Sequence, residues 1–243
     1  MSNPFAALGL REDLVRAIVE LGFEQPTDIQ SDAIPPLLEG RDVLGQAQTG
    51  TGKTAAFGLP LLERIDLGTS VVQAVVLAPT RELALQVAES IQMYGKYGGV
   101  RVAPIYGGAS YGKQLRALRD GAHVVVGTPG RVIDLLERGA LNLSTVRFVV
   151  LDEADRMLDM GFLPDIKKVL RHLPPKRQTM FFSATMPPPI AQLTREMLQS
   201  PVLINQERQS TPPVGITQAV YPVAQELKSA LLLELLNRDQ MEE

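Results

Sequence analysis

The sequence predicts an α/β fold, an open and mostly parallel β-sheet with helices on both faces. Two patterns carry that expectation. Short apolar, β-branched runs without strict polar alternation recur along the 243 residues, as strands buried on both faces require. Amphipathic stretches separate them, which is the signature of successive βαβ units.

The elements follow in chain order. Arg11–Leu21 and Gln30–Glu39 read as amphipathic helices. Strand Asp42–Ala47 leads into helix Lys53–Ile65. The Val-rich run Val71–Ala78 is a strand, followed by helix Glu82–Tyr97. Strand Val100–Tyr106 precedes helix Tyr111–Asp120, and strand His123–Gly127 precedes helix Ile133–Arg138. Strand Phe148–Leu151 leads to helix Pro164–His172, strand Met180–Phe182 to helix Pro188–Leu198, and Val202–Ile204 is the last strand of the series.

Beyond it the pattern changes. Residues 1–206 read as one domain, and 207–214, polar and Pro-rich, as a linker. Residues 215–243 hold a strand-like run, Ile216–Val223, and an amphipathic helix, Glu226–Leu236, too little to build a core alone. This tail has two basic and five acidic residues, which accounts for the whole net charge of −3.

Composition removes several function classes. The chain has no Cys, so disulfide scaffolds and Cys-ligated zinc or iron–sulfur sites are excluded. Its two histidines, His123 and His172, cannot make a multi-His metal site, and both read as structural, as do Met157 and Met160. The first twenty residues lack a basic stretch followed by an apolar core, and the longest apolar run, Val71–Pro79, is far short of the roughly 18–20 residues that span a bilayer. A cytoplasmic protein with no membrane partner is expected.

Two motifs carry chemistry. The first, Ala47-Gln-Thr-Gly-Thr-Gly-Lys-Thr54, follows a strand and opens a helix, the context of a phosphate-binding loop. Its glycines let backbone N–H groups approach phosphate oxygens, Lys53 would reach the β- and γ-phosphates, and the Thr54 hydroxyl would hold Mg²⁺. The second, Asp152-Glu-Ala-Asp155, directly follows strand Phe148–Leu151, at the end where open α/β sheets bind ligands. There Asp152 would act on Mg²⁺, and Glu153 would position or deprotonate an attacking water.

Those residues resemble the signature of the DEAD-box RNA helicases. The resemblance to the first RecA-like domain of that family covers about residues 3–206, and the tail resembles the start of the second domain. Further stretches match in order. Gly22-Phe-Glu-Gln-Pro-Thr-Asp-Ile-Gln30 resembles the adenine-recognising Q motif, with Phe5 as its upstream aromatic. Pro79-Thr-Arg-Glu-Leu83, Gly107-Gly108 and Thr128-Pro-Gly-Arg131 resemble the RNA-backbone motifs, and Ser183-Ala-Thr185 the motif that links hydrolysis to strand separation.

The resemblance implies a RecA-like P-loop NTPase domain that uses ATP and Mg²⁺. It assigns Phe23, Gln25, Gln30, Thr49, Gly50, Thr51, Gly52, Lys53 and Thr54 to the nucleotide. Lys53, Asp152 and Glu153 become catalytic, with Thr54 and Asp152 holding Mg²⁺ partly through water. Pro79, Thr80, Arg81, Gly107, Gly108, Thr128, Pro129, Gly130 and Arg131 are assigned to RNA, bound through its backbone without regard to sequence. Asp155, Ser183 and Thr185 are assigned to coupling. It also implies a second RecA-like domain, missing from this chain, whose arginines complete the γ-phosphate site, so that the chain alone turns ATP over poorly, by about 10³–10⁵ in rate in related NTPases.

Gln30 fits its role chemically, since its amide has the donor and acceptor that adenine N6 and N7 require. Two other classes stay open at this point. A P-loop kinase or small-molecule ATPase would share the phosphate loop but gives no reason for Gln30, Thr128–Arg131 and Ser183–Thr185 together. A non-catalytic RNA-binding module would need Lys53 and Glu153 to have no use.

Overall fold

The computed structural model of the protein describes residues 3–47, 50–205 and 219–238. Thr49 of the phosphate loop, the linker 207–214 and residues 216–218 of the tail lie outside them. Cα packing divides the chain into two compact units, residues 1–207 and 208–243.

The first unit contains a seven-stranded sheet of β1 (Val43–Gln46), β2 (Ala74–Leu77), β3 (Val102–Ile105), β4 (Val124–Gly127), β5 (Phe148–Leu151), β6 (Gln178–Ser183) and β7 (Val202–Asn205). Its spatial order is β3-β4-β2-β5-β6-β1-β7, and every pairing is parallel. Helices α1 (Glu12–Glu20), α2 (Asp28–Leu38), α3 (Lys53–Arg64) and α4 (Arg81–Tyr94) pack on one face. Helices α5 (Tyr111–Arg119), α6 (Pro129–Glu137), α7 (Ala154–Asp159), α8 (Leu163–Arg171) and α9 (Pro188–Met197) pack on the other.

The strand pleat explains the double core. In β2, β4 and β5, Val76, Val126 and Val150 turn to the α1–α4 face, while Val75, Val125 and Val149 turn to the α5–α9 face. All six are fully buried, each stabilising the fold by about 1.5–3 kcal/mol through removal from water. That two-sided burial is why these strands read as continuous apolar runs.

All seven expected strands of this unit form, β5 over the expected residues and the others with shifted ends. Helix α6 begins at Pro129, four residues before the expected Ile133, because Thr128 is extended (φ −83°, ψ 140°) and proline takes the first helical position readily. The Thr-Pro-Gly-Arg run is therefore a helix start and not a free turn. Helix α7 is unanticipated, since six residues are too few for a helical period to show. Met157 is buried as expected, but Met160 is 48% exposed on the last turn of α7 and packs no core.

In the second unit the expected strand does not form over the described residues 219–224. A 3₁₀ turn at Gln225–Leu227 runs into helix α10 (Lys228–Arg238), close to the expected span.

Candidate nucleotide site and nucleic-acid face

Sheet order sorts the motifs. The phosphate loop leaves β1, Asp152–Asp155 leaves β5, and Ser183–Thr185 leaves β6, and these three strands are consecutive in the sheet. Pro79–Arg81 leaves β2, Thr128–Arg131 leaves β4, and the loop with Gly107 and Gly108 leaves β3, and those three are consecutive as well. One end of the parallel sheet thus carries two adjoining groups of loops, side by side along its crevice.

In the first group, Gly52 opens α3 with φ +93°, and a Cβ there would lie 2.4 Å from Gln30 Nε2. Only glycine meets both conditions. Gly50 is exposed, while Thr51, Gly52 and Thr54 are half-buried. Lys53 is buried, and its Nζ stands 3.6 Å from Asp152 Oδ1, itself 2% exposed. That Oδ1 has no hydrogen-bond partner. Burial pushes the Asp152 carboxyl above its usual range, Lys53 pulls it back, and adjacent Glu153 pushes it up again.

Glu153 adopts the left-handed conformation, φ 52°, ψ 52°, which costs a residue with a Cβ about 1–2 kcal/mol. The bend ends β5 and starts α7 at once. It leaves Glu153 largely buried, with Arg156 donating to Oε2 at 3.3 Å. A cleft of about 220 Å³ lies between Lys53, Glu153, Asp155, Arg156, Asp159 and Ala184. The cleft thus joins the lysine at the N-terminus of α3 to the acidic loop that leaves β5.

Asp152 Oδ1, buried and lacking a donor, and the Thr54 hydroxyl are both hard oxygen ligands of the kind Mg²⁺ takes. Among the described residues no group of three or more His, Cys, Asp or Glu could hold a metal unaided. The donor set therefore fits an ion that draws its remaining ligands from water and substrate phosphates.

Gln30 is 1% exposed and already engaged at both ends of its amide. Oε1 accepts from the Thr27 backbone at 3.0 Å, and Nε2 donates to the Gly52 carbonyl at 3.1 Å. Thr27 Oγ1 donates to the Thr51 carbonyl at 2.9 Å. The start of α2 is thereby fastened to the phosphate loop, a link no sequence spacing indicates. Each amide end keeps one further hydrogen-bonding position, and its orientation is fixed. Phe23 is half-buried, edge-on to Phe5 at 6.1 Å and to Tyr94 at 6.0 Å. Phe5 is a fully buried core residue, and Gln25 is exposed.

The β5 and β6 loops lock together. The Asp155 N–H donates to Ser183 Oγ at 3.1 Å, and Asp155 Oδ2 accepts from both the N–H and the hydroxyl of Thr185, each at 2.8 Å. Ser183 Oγ donates onward to the Thr185 carbonyl. Burial works to raise the Asp155 carboxyl, but the donors of Thr185 and Ser183 hold it below its usual range.

The second group is built differently. Pro79 and Pro129 are buried and cannot offer side chains to a ligand; each sets the backbone ahead of a helix start. Thr80 caps α4 by accepting from the Leu83 N–H at 3.2 Å, and Thr128 is half-buried. Arg81, Gly107, Gly108 and Gly130 are exposed. The guanidinium of Arg81 lies 4.9 Å over the Tyr106 ring. Arg131 is held inward, donating to the Ala109 carbonyl at 3.1 Å beneath a side-chain exposure of 11%.

His123 is fully buried, and burial with nearby Arg101 lowers its pKa, in keeping with a structural role. His172 is exposed at the end of α8. Sequence reasoning missed Thr27, Arg156, Ala109, Tyr111 and Asp134. Arg156 and Asp134 carried a signal, each three residues from a charged partner on a helix (Glu153 and Arg131), and Thr27 stands three residues before Gln30, the spacing of a capping box; Ala109 and Tyr111 carried none.

A family model described as DEAD/DEAH box helicase matches residues 27–193. The chain is 48% identical, over 96% of its length, to a protein of Geobacillus kaustophilus (strain HTA426) described as DEAD-box ATP-dependent RNA helicase CshA, and covers 50% of it. It is 51% identical to the ATP-dependent RNA helicase DeaD of Haemophilus influenzae, covering 38% of that protein and 96% of itself. The chain spans about half the length, or less, of these curated relatives. Among solved structures, a DEAD box protein from the hyperthermophile Methanococcus jannaschii matches 96% of this chain and 63% of its own, at 38% identity and a TM-score of 0.80. A hypothetical ATP-dependent RNA helicase from Sulfolobus tokodaii matches 80% of this chain and 57% of its own, at 41% identity and a TM-score of 0.75.

Proposed function

Because the chain belongs to the DEAD/DEAH box helicase family, we propose that it is the ATP-binding RecA-like half of a cytoplasmic ATP-dependent RNA helicase. The observation that carries this reading is the buried Lys53–Asp152 pair, in which Asp152 Oδ1 stands 3.6 Å from the lysine Nζ and accepts no hydrogen bond. A structural ion pair has no need to leave such an atom open, whereas a metal- and phosphate-binding one does.

In the proposed reaction the N–H groups of residues 50–54 and the Lys53 ammonium bind the β- and γ-phosphates of ATP. Thr54 and Asp152 would hold Mg²⁺, which when bound would supply positive charge to offset the phosphates. Glu153, bent over the cleft by its left-handed backbone, takes a proton from the water that attacks the γ-phosphorus. The P–O bond to ADP breaks, and ADP and phosphate leave. The Arg156 contact holds the Glu153 carboxylate within that cleft. Gln30, fixed by Thr27 and Gly52, reads the adenine, with Phe23 and Gln25 alongside.

RNA lies across the ends of β2, β4 and β3, met by the exposed Arg81, by Gly107, Gly108 and Gly130, and by the backbone around Thr80 and Thr128. The Asp155–Ser183–Thr185 lock couples the β5 and β6 loops, so that a change at Asp152 and Glu153 is felt at Thr185. Unwinding or remodelling requires a second RecA-like domain to close over both ligands, consistent with relatives about twice as long as this chain.

Two measurements test the reading. Calorimetry should find ATP and ADP bound more tightly than GTP and GDP by about 5- to 150-fold, a difference that Gln30→Ala removes. ATP hydrolysis should rise strongly with RNA only when the chain is continued by a second RecA-like domain. Equal affinity for adenine and guanine nucleotides, or strong RNA stimulation of the 243-residue chain alone, contradicts it.

A further inference from the structure

Arg131 and Arg81 look equivalent in the sequence, each following a Thr near a helix start, yet their surroundings differ. Arg81 is exposed, takes part in no ion pair among the described residues, and rests on one aromatic ring. Arg131 is enclosed. Its Nη1 donates to the Ala109 carbonyl at 3.1 Å, its Nε stands 3.6 Å from Asp134 Oδ2, and its guanidinium lies 4.2 Å from the centre of the Tyr111 ring. The Tyr111 hydroxyl donates to the same Asp134 oxygen at 2.5 Å, which closes the ring of contacts. The other Asp134 oxygen accepts from Arg138, whose guanidinium also lies over Tyr111.

This cluster links two segments that the sheet brings side by side. Ala109 and Tyr111 belong to the stretch after β3, while Arg131 and Asp134 belong to the start of α6 after β4. The near end of the first stretch is held as well, because the buried Gln114 donates from Nε2 to the Tyr106 carbonyl at 3.1 Å. The Gly107–Gly108 loop is thus pinned by carbonyls on both sides, Tyr106 before it and Ala109 after it.

What is pinned faces outward. A Cβ added at Gly107 meets nothing within 4 Å, and Gly107 is absent from the positive-φ residues. Nothing inside the protein asks for glycine there, unlike Gly127, where a Cβ would lie 2.4 Å from the Ile105 carbonyl. A glycine the fold does not require leaves room for the close approach of something outside. The Arg131 charge is not part of that surface, being matched by Asp134 and screened by the ring.

We propose that Arg131, Asp134 and Tyr111 form a bracket that holds the Gly107–Gly108 loop in register with the Thr128–Gly130 helix start, and that Arg131 is a positioning residue instead of a phosphate contact. The proposal rests on the reading that this face binds an RNA backbone, and it names the residues that give the face its shape. Recognition then falls to backbone groups of two loops held at a fixed separation, with Arg81 as the exposed charge. Tyr111, covered by two guanidiniums, is closed to base stacking.

The test uses the 243-residue chain, a fluorescent oligouridylate and a potassium chloride series, with Arg131→Gln, Asp134→Ala and Arg81→Gln compared with the parent by anisotropy. A phosphate contact leaves a mark on the salt dependence, about 0.7 in the slope of log affinity against log salt for a single strand. The bracket requires Arg131→Gln to lose up to about tenfold in affinity, through loop freedom, with the parent's slope intact. Arg81→Gln should flatten the slope by about 0.7. Asp134→Ala decides most sharply. Loosening the bracket weakens binding, whereas a phosphate-binding Arg131 relieved of its carboxylate would bind more tightly.

Amide hydrogen exchange without RNA provides a readout independent of binding. Arg131→Gln and Asp134→Ala should both speed exchange at residues 107–110, while exchange in β2 and β5 stays at the parent's rate and shows the fold intact. A flattened slope in Arg131→Gln, tighter binding by Asp134→Ala, or unchanged exchange at 107–110 overturns the bracket. Absence of RNA binding by the parent would instead overturn the reading of the face, with the exchange rates still deciding whether the bracket exists.

Discussion

The two halves of the sheet's loop-bearing edge keep their polar groups in opposite places. Beyond β1, β5 and β6, Lys53, Asp152, Glu153, Gln30 and Ser183 are all buried and tied to one another or to the backbone. Beyond β2, β4 and β3, the motif residues that face outward are Arg81 and three glycines, while Arg131 is turned inward. The first half is arranged to read a ligand with fixed side chains in a low-dielectric cleft, where each charge counts for more. The second is arranged to read a repeating chain with its own backbone, for which small residues and a rigid spacing matter more than functional groups.

The widest separation between the halves should appear at Lys53. Lys53→Ala removes the ammonium proposed to meet the β- and γ-phosphates, and truncating one partner of a buried charge pair across a binding interface costs about 2–5 kcal/mol, so nucleotide affinity should drop by about 100-fold or more in calorimetry. RNA affinity without nucleotide should stay at the parent's value, since Lys53 belongs to the β1 side. A joint loss of both affinities would mean that the halves are not separable.

The same contrast decides what could be read from the sequence. The strands were legible because burial on both faces leaves long apolar runs, and the nucleotide half because lysine, paired carboxylates and Ser-Ala-Thr are residue types whose chemistry survives as spacing. The surroundings of Arg131 were only half legible: Asp134 lies three residues away on the same helix, whereas Ala109 and Tyr111 come from another crossover, which the parallel pairing of β3 with β4 brings alongside. Nor does spacing show that Pro79 and Pro129 are buried. Helix α7 was hidden by its length, and the fastening of Gln30 to Gly52 by a separation of 22 residues.

A smaller effect should follow from Gly107→Ala, which sharpens the contrast from the other side. The added methyl meets open space, so thermal stability should stay within about 0.5 kcal/mol. RNA affinity should fall several-fold through loss of close approach, and nucleotide affinity should not move. A fall in stability would show that the fold, and not a ligand, requires this glycine.

The smallest effect belongs to a surface ion pair set against the buried one. Glu20, at the end of α1, meets Lys96 at 2.5 Å and also Tyr97 and Arg16. Lys96 above all, with Tyr97 and Arg16, lowers its carboxyl pKa from 4.5 to about 2. A depressed folded-state pKa adds stability that is fully present above the ordinary value and lost as pH falls through the lowered one. The parent's urea midpoint should therefore fall more than that of Glu20→Gln between pH 4.5 and about 2, and the gap should shrink at high salt. A gap that grows on acidification would reverse the sign and remove this tie between α1 and the chain after α4.

The division of the edge into two ligand-reading halves is tested most directly by mapping both ligands on one sample. Hydrogen exchange of the 243-residue chain would be followed with a non-hydrolysable ATP analogue, with oligouridylate, and with both. The nucleotide should protect residues 50–54, 152–155 and 183–185, and the RNA should protect 80–83, 107–110 and 128–131, with the two sets distinct when each ligand is alone. Protection of the 107–110 loop by nucleotide alone, or of the phosphate loop by RNA alone, would contradict it.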